Sequence, residues 1–310
     1  MPPHPQAQAM IDAFSPDPDL DYGQLDAAQL RASFCIPVPA LAPRTQVSVQ
    51  TLHAPGAAGP ISLRLYRPDP TEGDDDALPI TVYCHGGGFV LGGPDSTDSL
   101  CRTLAAQAHT LVVSVDYRLA PEAPFPAGLD DAYAALLWIA QHAGEIGGDG
   151  TRIAVAGDSS GGNFAAALAQ RARDHGPRLR HQLLLYPALD ATGAHPSYRE
   201  FAEGYFLSAS MMQWYWRQYL GDADPADPRA SPLHATDLRG LPSATVFSAE
   251  YDVLRDEAEA YAQALIAAGV AVTRRRWHGQ IHGFLLQQGQ VDDADTAIAE
   301  AAVALRAAFA

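Results

Sequence analysis

Residues 157–161 read Gly-Asp-Ser-Ser-Gly, which satisfies G-x-S-x-G around Ser159. That pattern carries a serine on a sharp turn between a strand and a helix. The flanks agree: RIAVA before it is β-branched and apolar, and NFAAALAQRA after it is rich in alanine. Glycines two positions either side of Ser159 let strand and helix approach closely, so the hydroxyl projects beyond the sheet, above the positive end of the helix. A serine hydroxyl is a weak nucleophile without a base, and the base needs an acid to orient it. Both occur downstream, each past a strand-like run: SATVFSA leads into Glu250, Tyr251 and Asp252, and VTRRRWHG leads into His278 and then His282. Asp252 is the expected acid. Glu250 is nearer the strand and reads as structural, while Asp256 lies one turn into the next helix, where a carboxylate suits the positive end. His282 is the expected base, because it lies on the loop beyond the strand and can reach Ser159. The H-x-x-x-H spacing does not suggest a metal pair on a helix, since Gly279 and Gly283 favour a loop and no glutamate follows His278. The order serine, acid, histidine also separates this chain from all-β proteases with a G-D-S-G-G serine, in which the histidine comes first.

A second glycine run, VYCHGGGFVLGG at 82–93, follows an apolar strand pattern. Attack on an acyl carbonyl creates an oxyanion, which preorganised N–H donors stabilise; losing one donor costs ~10²–10³ in rate. The N–H of Ser160, next after the serine, supplies one donor. Gly87 and Gly88, with no side chains, can turn theirs into the same space and let a substrate come close. His85 is expected to brace this loop by hydrogen bonding.

These residues need a scaffold. Strand patterns occur at 45–53 and 61–67, joined by the turn signal APGAAGP, and then at 80–84, 110–116, 152–156, 181–186, 244–249 and 270–277. Helical patterns at about 95–108, 127–142, 161–174, 255–268 and 292–309 alternate with the later strands. In the last, Ile298, Ala302, Leu305 and Phe309 share one face. Such βα alternation implies an α/β fold: an eight-stranded, mostly parallel sheet flanked by helices. More than fifty residues separate Tyr186 from Ala244, far more than a crossover needs. This stretch holds an aromatic helix, YFLSASMMQWYWRQYL, within an insertion at about 188–225. Residues 1–45 are proline-rich, with short helical patterns at 6–14 and 24–34. The expected division is an N-terminal helical cap segment, 1–45, and a catalytic domain, 46–310, whose insertion completes the cap over the carboxyl ends of the strands. Phe89, Phe206, Leu207, Met211 and Trp214 are candidates to line the pocket beneath, with Phe14 and Phe34 reaching in from the N-terminal helices.

The 310 residues, 47% hydrophobic, suffice for a large core, and a net charge of −16 argues against nucleic acid or an anionic membrane as partner. Three scattered cysteines, Cys35, Cys84 and Cys101, suggest neither a disulfide framework nor zinc. The N-terminus lacks the signature of a signal peptide, and no apolar run reaches membrane-spanning length, so a soluble cytoplasmic protein is expected. No G-x-G-x-x-G opens the first βαβ unit, which argues against a dinucleotide enzyme.

HGGGF, DYRLAPEAPFPAGLDDAY, GDSSGG, EYDVLRDEAEAYAQAL and HGF occur in that order. With them, the chain from about residue 45 to 310 resembles the bacterial hormone-sensitive lipase family (family IV carboxylesterases) of the α/β-hydrolase fold. The resemblance implies a serine carboxylesterase for short acyl chains, with Ser159, Asp252 and His282 as triad, Gly87, Gly88 and Ser160 as oxyanion hole, and no metal or cofactor. It also implies a small-molecule ester as partner and pairing of two chains through the last strand, 270–277. Two positions depart from the family pattern: Ser160 stands where alanine is usual, and Val253 where proline is usual. Amide hydrolysis would use the same apparatus, whereas a non-catalytic receptor on this fold would show a broken triad. Asp116, Arg118 and Glu122 are expected to form an ion-pair network under the site.

Overall fold

The computed structural model describes residues 2–14, 25–33, 47–70 and 77–310. In chain order its elements begin with helices α1 (Pro5–Phe14) and α2 (Ala27–Ser33) and the strands β1 (Val47–Gly56), β2 (Gly59–Pro68) and β3 (Leu78–Cys84). There follow α3 (Asp98–Ala108), β4 (Leu111–Asp116), α4 (Ala127–Gln141), β5 (Gly148–Asp158), α5 (Ser160–His175) and β6 (Leu179–Leu185). The chain ends with α6 (Ser197–Glu200), α7 (Ala209–Leu220), β7 (Ser243–Tyr251), α8 (Arg255–Ala267), β8 (Val272–Ile281) and α9 (Asp292–Phe309).

The strands form one sheet in the order β1-β2-β4-β3-β5-β6-β7-β8. β1 and β2 are antiparallel, as are β2 and β4; from β4 to β8 every pair is parallel. The parallel strands read as unbroken apolar runs (ITVYC, LVVSV, LLL) because both of their faces are covered. Val82, Val113, Val155 and Leu184 have no exposed surface. The helical face predicted for α9 is buried, and Ile298, Leu305 and Phe309 each contribute roughly 1.5–3 kcal/mol by leaving water.

The site depends on where the parallel strands stop. Cys84 pairs with Gly157, Asp158 with Leu185, and Tyr251 with Ile281, so β3, β5, β6, β7 and β8 finish along one edge. His85, Ser159, Tyr186, Asp252 and His282 are each the first residue beyond a strand.

Three elements differ from the sequence reading. The β1–β2 strands close to a turn of only Ala57 and Ala58, with Gly56 paired to Gly59, so most of APGAAGP is strand. β8 runs to Ile281 rather than ending at Trp277. It continues because Gly279, at φ 76°, turns its N–H onto the Glu250 carboxylate at 2.7 Å, and an irregularity between Ala249 and Tyr251 absorbs the change of register. Gly279 therefore lies in a strand, not a loop. The expected network of Asp116, Arg118 and Glu122 is not formed. Arg118 grips the buried Asp131 of α4 with two nitrogens at 2.7 and 2.8 Å, Glu122 binds Arg31 of α2, and Asp116 is exposed at the end of β4. Proximity in sequence misled there, because α4 and α2 bring nearer partners.

Candidate functional site

Ser159 occupies the turn between β5 and α5 at φ 55°, ψ −121°, a conformation a non-glycine residue adopts only under constraint, at a cost of order 1–3 kcal/mol. The constraints are visible. Its N–H donates to the Leu185 carbonyl at 2.9 Å, and its own carbonyl accepts from Ala188 at 3.1 Å and Asn163 at 3.2 Å. The flanking glycines permit the crossing: a Cβ on Gly157 would strike the Gly161 backbone, and one on Gly161 the carbonyls of Cys84 and His85.

The three residues expected to cooperate stand in one hydrogen-bonded line. His282 Nε2 lies 2.9 Å from Ser159 Oγ, and His282 Nδ1 lies 2.7 Å from Asp252 Oδ2. The other Asp252 oxygen accepts the Leu254 N–H at 2.9 Å, so the carboxylate cannot swing. With the Nδ1 proton held by Asp252, Nε2 keeps a lone pair for the serine proton. All three are buried, Asp252 at 1% exposure. The competing groups are elsewhere: Glu250 bonds Gly279, His278 lies on the exposed side of β8, and Asp256 accepts the Ser197 N–H at 2.9 Å.

The loop after β3 lies beside Ser159. Gly87 and Gly88 have φ of 121° and 61°, and their N–H groups donate to no acceptor among the described residues. Ser160 opens α5, so its N–H also lacks a partner within the helix. The three N–H groups expected to face an oxyanion are thus available. The loop is tied down on every side. The Gly87 carbonyl accepts from Val90 and Leu91, and the Phe89 carbonyl accepts from Ala120. Phe89 itself, at φ 65°, stacks on Tyr219 of α7 with ring centroids 3.9 Å apart. Gly88 lies flat against the Tyr215 ring of α7, with no space for a Cβ. His85 stacks on Tyr117 at 4.2 Å and bonds the Gly86 carbonyl at 2.7 Å, and complete burial pushes its pKa down to about 4. It braces the loop as a neutral ring, as its position in HGGG suggested.

Asp158 went unnoticed as a functional candidate, although it precedes the serine. Its Oδ1 accepts the Tyr83 hydroxyl at 2.7 Å and the Gly86 N–H at 2.9 Å, joining the serine turn to the glycine loop. Burial pushes its pKa up despite these two bonds. Only the strand pairing of β3 with β5 reveals the link.

Ser159 and His282 open into a cavity of about 610 Å³. Phe14, Phe206, Leu207 and Met211 line it, as expected. Phe89 and Trp214 do not: Phe89 turns under α7, and Trp214 packs edge-on against Tyr215 at 5.3 Å. Phe34 lies outside the described residues. Met10, Met212 and Tyr215 were missed. Met10 had a signal, since Ala7, Met10, Ile11 and Phe14 recur at helical spacing in α1. No helix among the described residues is long and apolar enough to cross a membrane.

A serine on a strand–helix elbow, with its acid and histidine following on later ends of a mostly parallel sheet, defines the α/β-hydrolase class. A family model described as alpha/beta hydrolase fold matches residues 81–286, and the chain belongs to that family. It is 44% identical over 283 residues to the carboxylic ester hydrolase LipN of Mycobacterium tuberculosis, covering 89% of this chain and 73% of that protein. It is 39% identical over 253 residues to an ethyl acetate hydrolase of Pseudomonas putida, covering 79% and 78%. Among solved structures, a hyperthermophilic esterase from the archaeon Pyrobaculum calidifontis superposes with a TM-score of 0.92 at 40% identity, covering 99% of each chain.

Proposed function

We propose that this protein is a serine carboxylesterase that hydrolyses short-chain acyl esters through an acyl-enzyme. The observation that carries the reading is the line Asp252–His282–Ser159 beside three unpaired N–H groups at the wall of one cavity. Relatives named as ester hydrolases support the ester as substrate class.

As Ser159 Oγ attacks the carbonyl carbon, His282 Nε2 takes its proton, and Asp252 holds the imidazole in place and offsets its new positive charge. The carbonyl oxygen becomes an oxyanion facing the N–H groups of Gly87, Gly88 and Ser160 and the positive end of α5. When the tetrahedral species collapses, the alcohol leaves with the proton from His282. Water, activated by the same histidine, then attacks the acyl-serine and releases the acid. The steps draw on side chains and backbone of this chain, with no metal or cofactor.

The preference for short chains rests on the enclosure of the cavity by Phe206, Leu207 and Met211. In this reading residues 1–45 and the 188–225 insertion act together as a cap on the 46–310 domain: Met10 and Phe14 of α1 and Met211 of α7 line the same cavity. The open edge of β8 is the surface proposed for a homodimer. Its arginines are engaged within the chain, Arg275 with Glu300 and Arg276 with Glu259, which leaves backbone pairing as the means of contact. We assign the enzyme to the cytoplasm, where the buried free thiols of Cys84 and Cys101 suit a reducing compartment.

The test is hydrolysis of p-nitrophenyl acetate, butyrate, octanoate and palmitate by wild type and by Ser159→Ala. Activity that falls with chain length and vanishes in the variant is expected. Full activity in Ser159→Ala overturns the mechanism, and a rise with chain length overturns the short-chain assignment.

A further inference from the structure

The glycine loop is held by a second cap element besides α7. Arg31 of α2 lines the Ser159 cavity, and its guanidinium makes four hydrogen bonds to the loops that follow β3 and β4. Nε donates to the Val90 carbonyl at 2.6 Å, and Nη2 donates to the Ala120 carbonyl at 2.7 Å. Nη1 and Nη2 also donate to the two Glu122 carboxylate oxygens, each at 2.7 Å.

Val90 and Ala120 have no exposed surface, so their carbonyls need partners within the protein, and Arg31 supplies one to each. A planar guanidinium serves several acceptors at fixed spacing, which a single flexible ammonium cannot. The Glu122 side chain is 59% exposed, and an exposed ion pair contributes only about 0–1 kcal/mol. The two carbonyl bonds therefore set the geometry. The loops they join already touch, since the Phe89 carbonyl accepts the Ala120 N–H at 3.0 Å. From there the path to the oxyanion donors is short. The Val90 and Leu91 N–H groups both donate to the Gly87 carbonyl, at 3.1 and 2.8 Å. The peptide plane that carries the Gly87 carbonyl also carries the Gly88 N–H, so a shift of the turn at Val90 tilts that donor.

We propose that Arg31 is a positioning residue for ester cleavage: by clamping the Val90 and Ala120 carbonyls it sets the aim of the Gly88 N–H, and so makes the oxyanion hole depend on the docking of α2. This rests on the ester reading above. A cap helix then acts on the chemical step as well as on which substrate fits.

The experiment compares wild type, Arg31→Gln and Arg31→Lys, with folding checked by circular dichroism. It measures kcat and KM for p-nitrophenyl acetate and the inhibition constant of 1,1,1-trifluoroacetone. The carbonyl carbon of that ketone bonds Ser159 Oγ, the serine proton passes to His282, and the ketone oxygen becomes an oxyanion. In Arg31→Gln kcat is expected to fall about tenfold or more, with KM within about threefold of wild type. Trifluoroacetone should bind more weakly by about the factor lost in kcat, because both need the same donors. Arg31→Lys keeps the charge beside Glu122 but not both carbonyl bonds, so it should share most of the loss; it carries the same comparison if Arg31→Gln does not fold. A raised KM with wild-type kcat makes Arg31 a wall of the cavity and nothing more, and overturns the proposal. Wild-type kcat and KM in Arg31→Gln, or full recovery in Arg31→Lys, overturns it too, while the esterase stands. No hydrolysis by the wild type overturns the ester reading and the clamp with it.

Discussion

Replacing Gly88 by alanine tests whether the glycine loop is held in its active shape by α7. Gly88 has φ 61°, where a side chain costs roughly 1–2 kcal/mol. The larger effect is contact. A Cβ at Gly88 would enter the Tyr215 ring. That ring is buried and backed by Trp214 at 5.3 Å, on a helix whose Tyr219 is itself stacked on Phe89. The ring has little room to retreat, so the loop must move, and the Gly87 and Gly88 N–H groups move with it. Losing one well-aimed donor costs about 10²–10³ in kcat, or about 2.7–4 kcal/mol of transition-state stabilisation. Gly88→Ala should therefore lower kcat on p-nitrophenyl butyrate by about 100-fold or more, with the fold intact by circular dichroism. Tyr215→Ala removes the obstruction. In the double variant the loop can relax, and kcat should recover at least about tenfold over Gly88→Ala alone, a coupling within the range for residues in contact. The recovery should be incomplete, because the backbone cost at Gly88 remains. Wild-type kcat in Gly88→Ala, or strictly additive losses in the double variant, would refute the argument that α7 sets the loop.

Three further outcomes follow from the structure. Asp252→Asn keeps the shape of the acid but presents the wrong hydrogen-bonding partner to His282 Nδ1, so kcat should fall by about 10⁴; a loss under tenfold in steady-state kinetics would remove Asp252 from the mechanism. Burial holds His85 and His181 neutral, with pKa values lowered from 6.5 to about 4. The unfolded chain binds the extra protons, so stability complete above about pH 6.5 is lost as pH falls towards 4, by roughly 3 kcal/mol per histidine; urea unfolding at pH 7 and pH 4.5 measures it, and His181→Gln should lessen the loss. Glu257 is fully buried and its pKa is raised well above 4.5 by that burial, although Leu189 donates to it at 2.6 Å. Its stabilising share is present below pH 4.5 and declines as pH rises, because only the unfolded chain ionises freely; Glu257→Gln should raise Tm at pH 8 and leave it near wild type at pH 4, and equal shifts at both would contradict this.

Much of this was legible in the sequence, and for identifiable reasons. Parallel strands buried on both faces must be apolar throughout, so β3, β4, β5 and β6 stood out. The serine turn was legible because close crossing of backbones leaves only glycine at 157 and 161, and that requirement is local. Asp252 and His282 could be ranked above Glu250 and His278 because each lies farther beyond its expected strand end, although the structure carries β8 on to Ile281 and so puts His282 directly after it. What stayed hidden was set by distant partners. Arg118 meets Asp131 and Glu122 meets Arg31 through the packing of helices, and nothing in the run DYRLAPE indicates either. The last turns of β8 depend on the Glu250 side chain receiving an N–H from the neighbouring strand. Asp158, Tyr186 and Gln287 share a cavity only because β5 and β6 are neighbours and the chain after β8 folds back beside them.

The even finish of the parallel strands makes turnover a report on the folding history of the molecule. A slip of one residue in β8 against β7 would carry His282 about 3.3 Å along the sheet and turn its side chain to the opposite face. Such a molecule would keep nearly all of its secondary structure and lose the serine–histidine bond. In a refolding experiment, the ratio of recovered activity to recovered ellipticity would then count the chains whose ladder closed in the correct register. The enzyme thus carries its own proofreading signal for sheet assembly, written in the rate of ester cleavage.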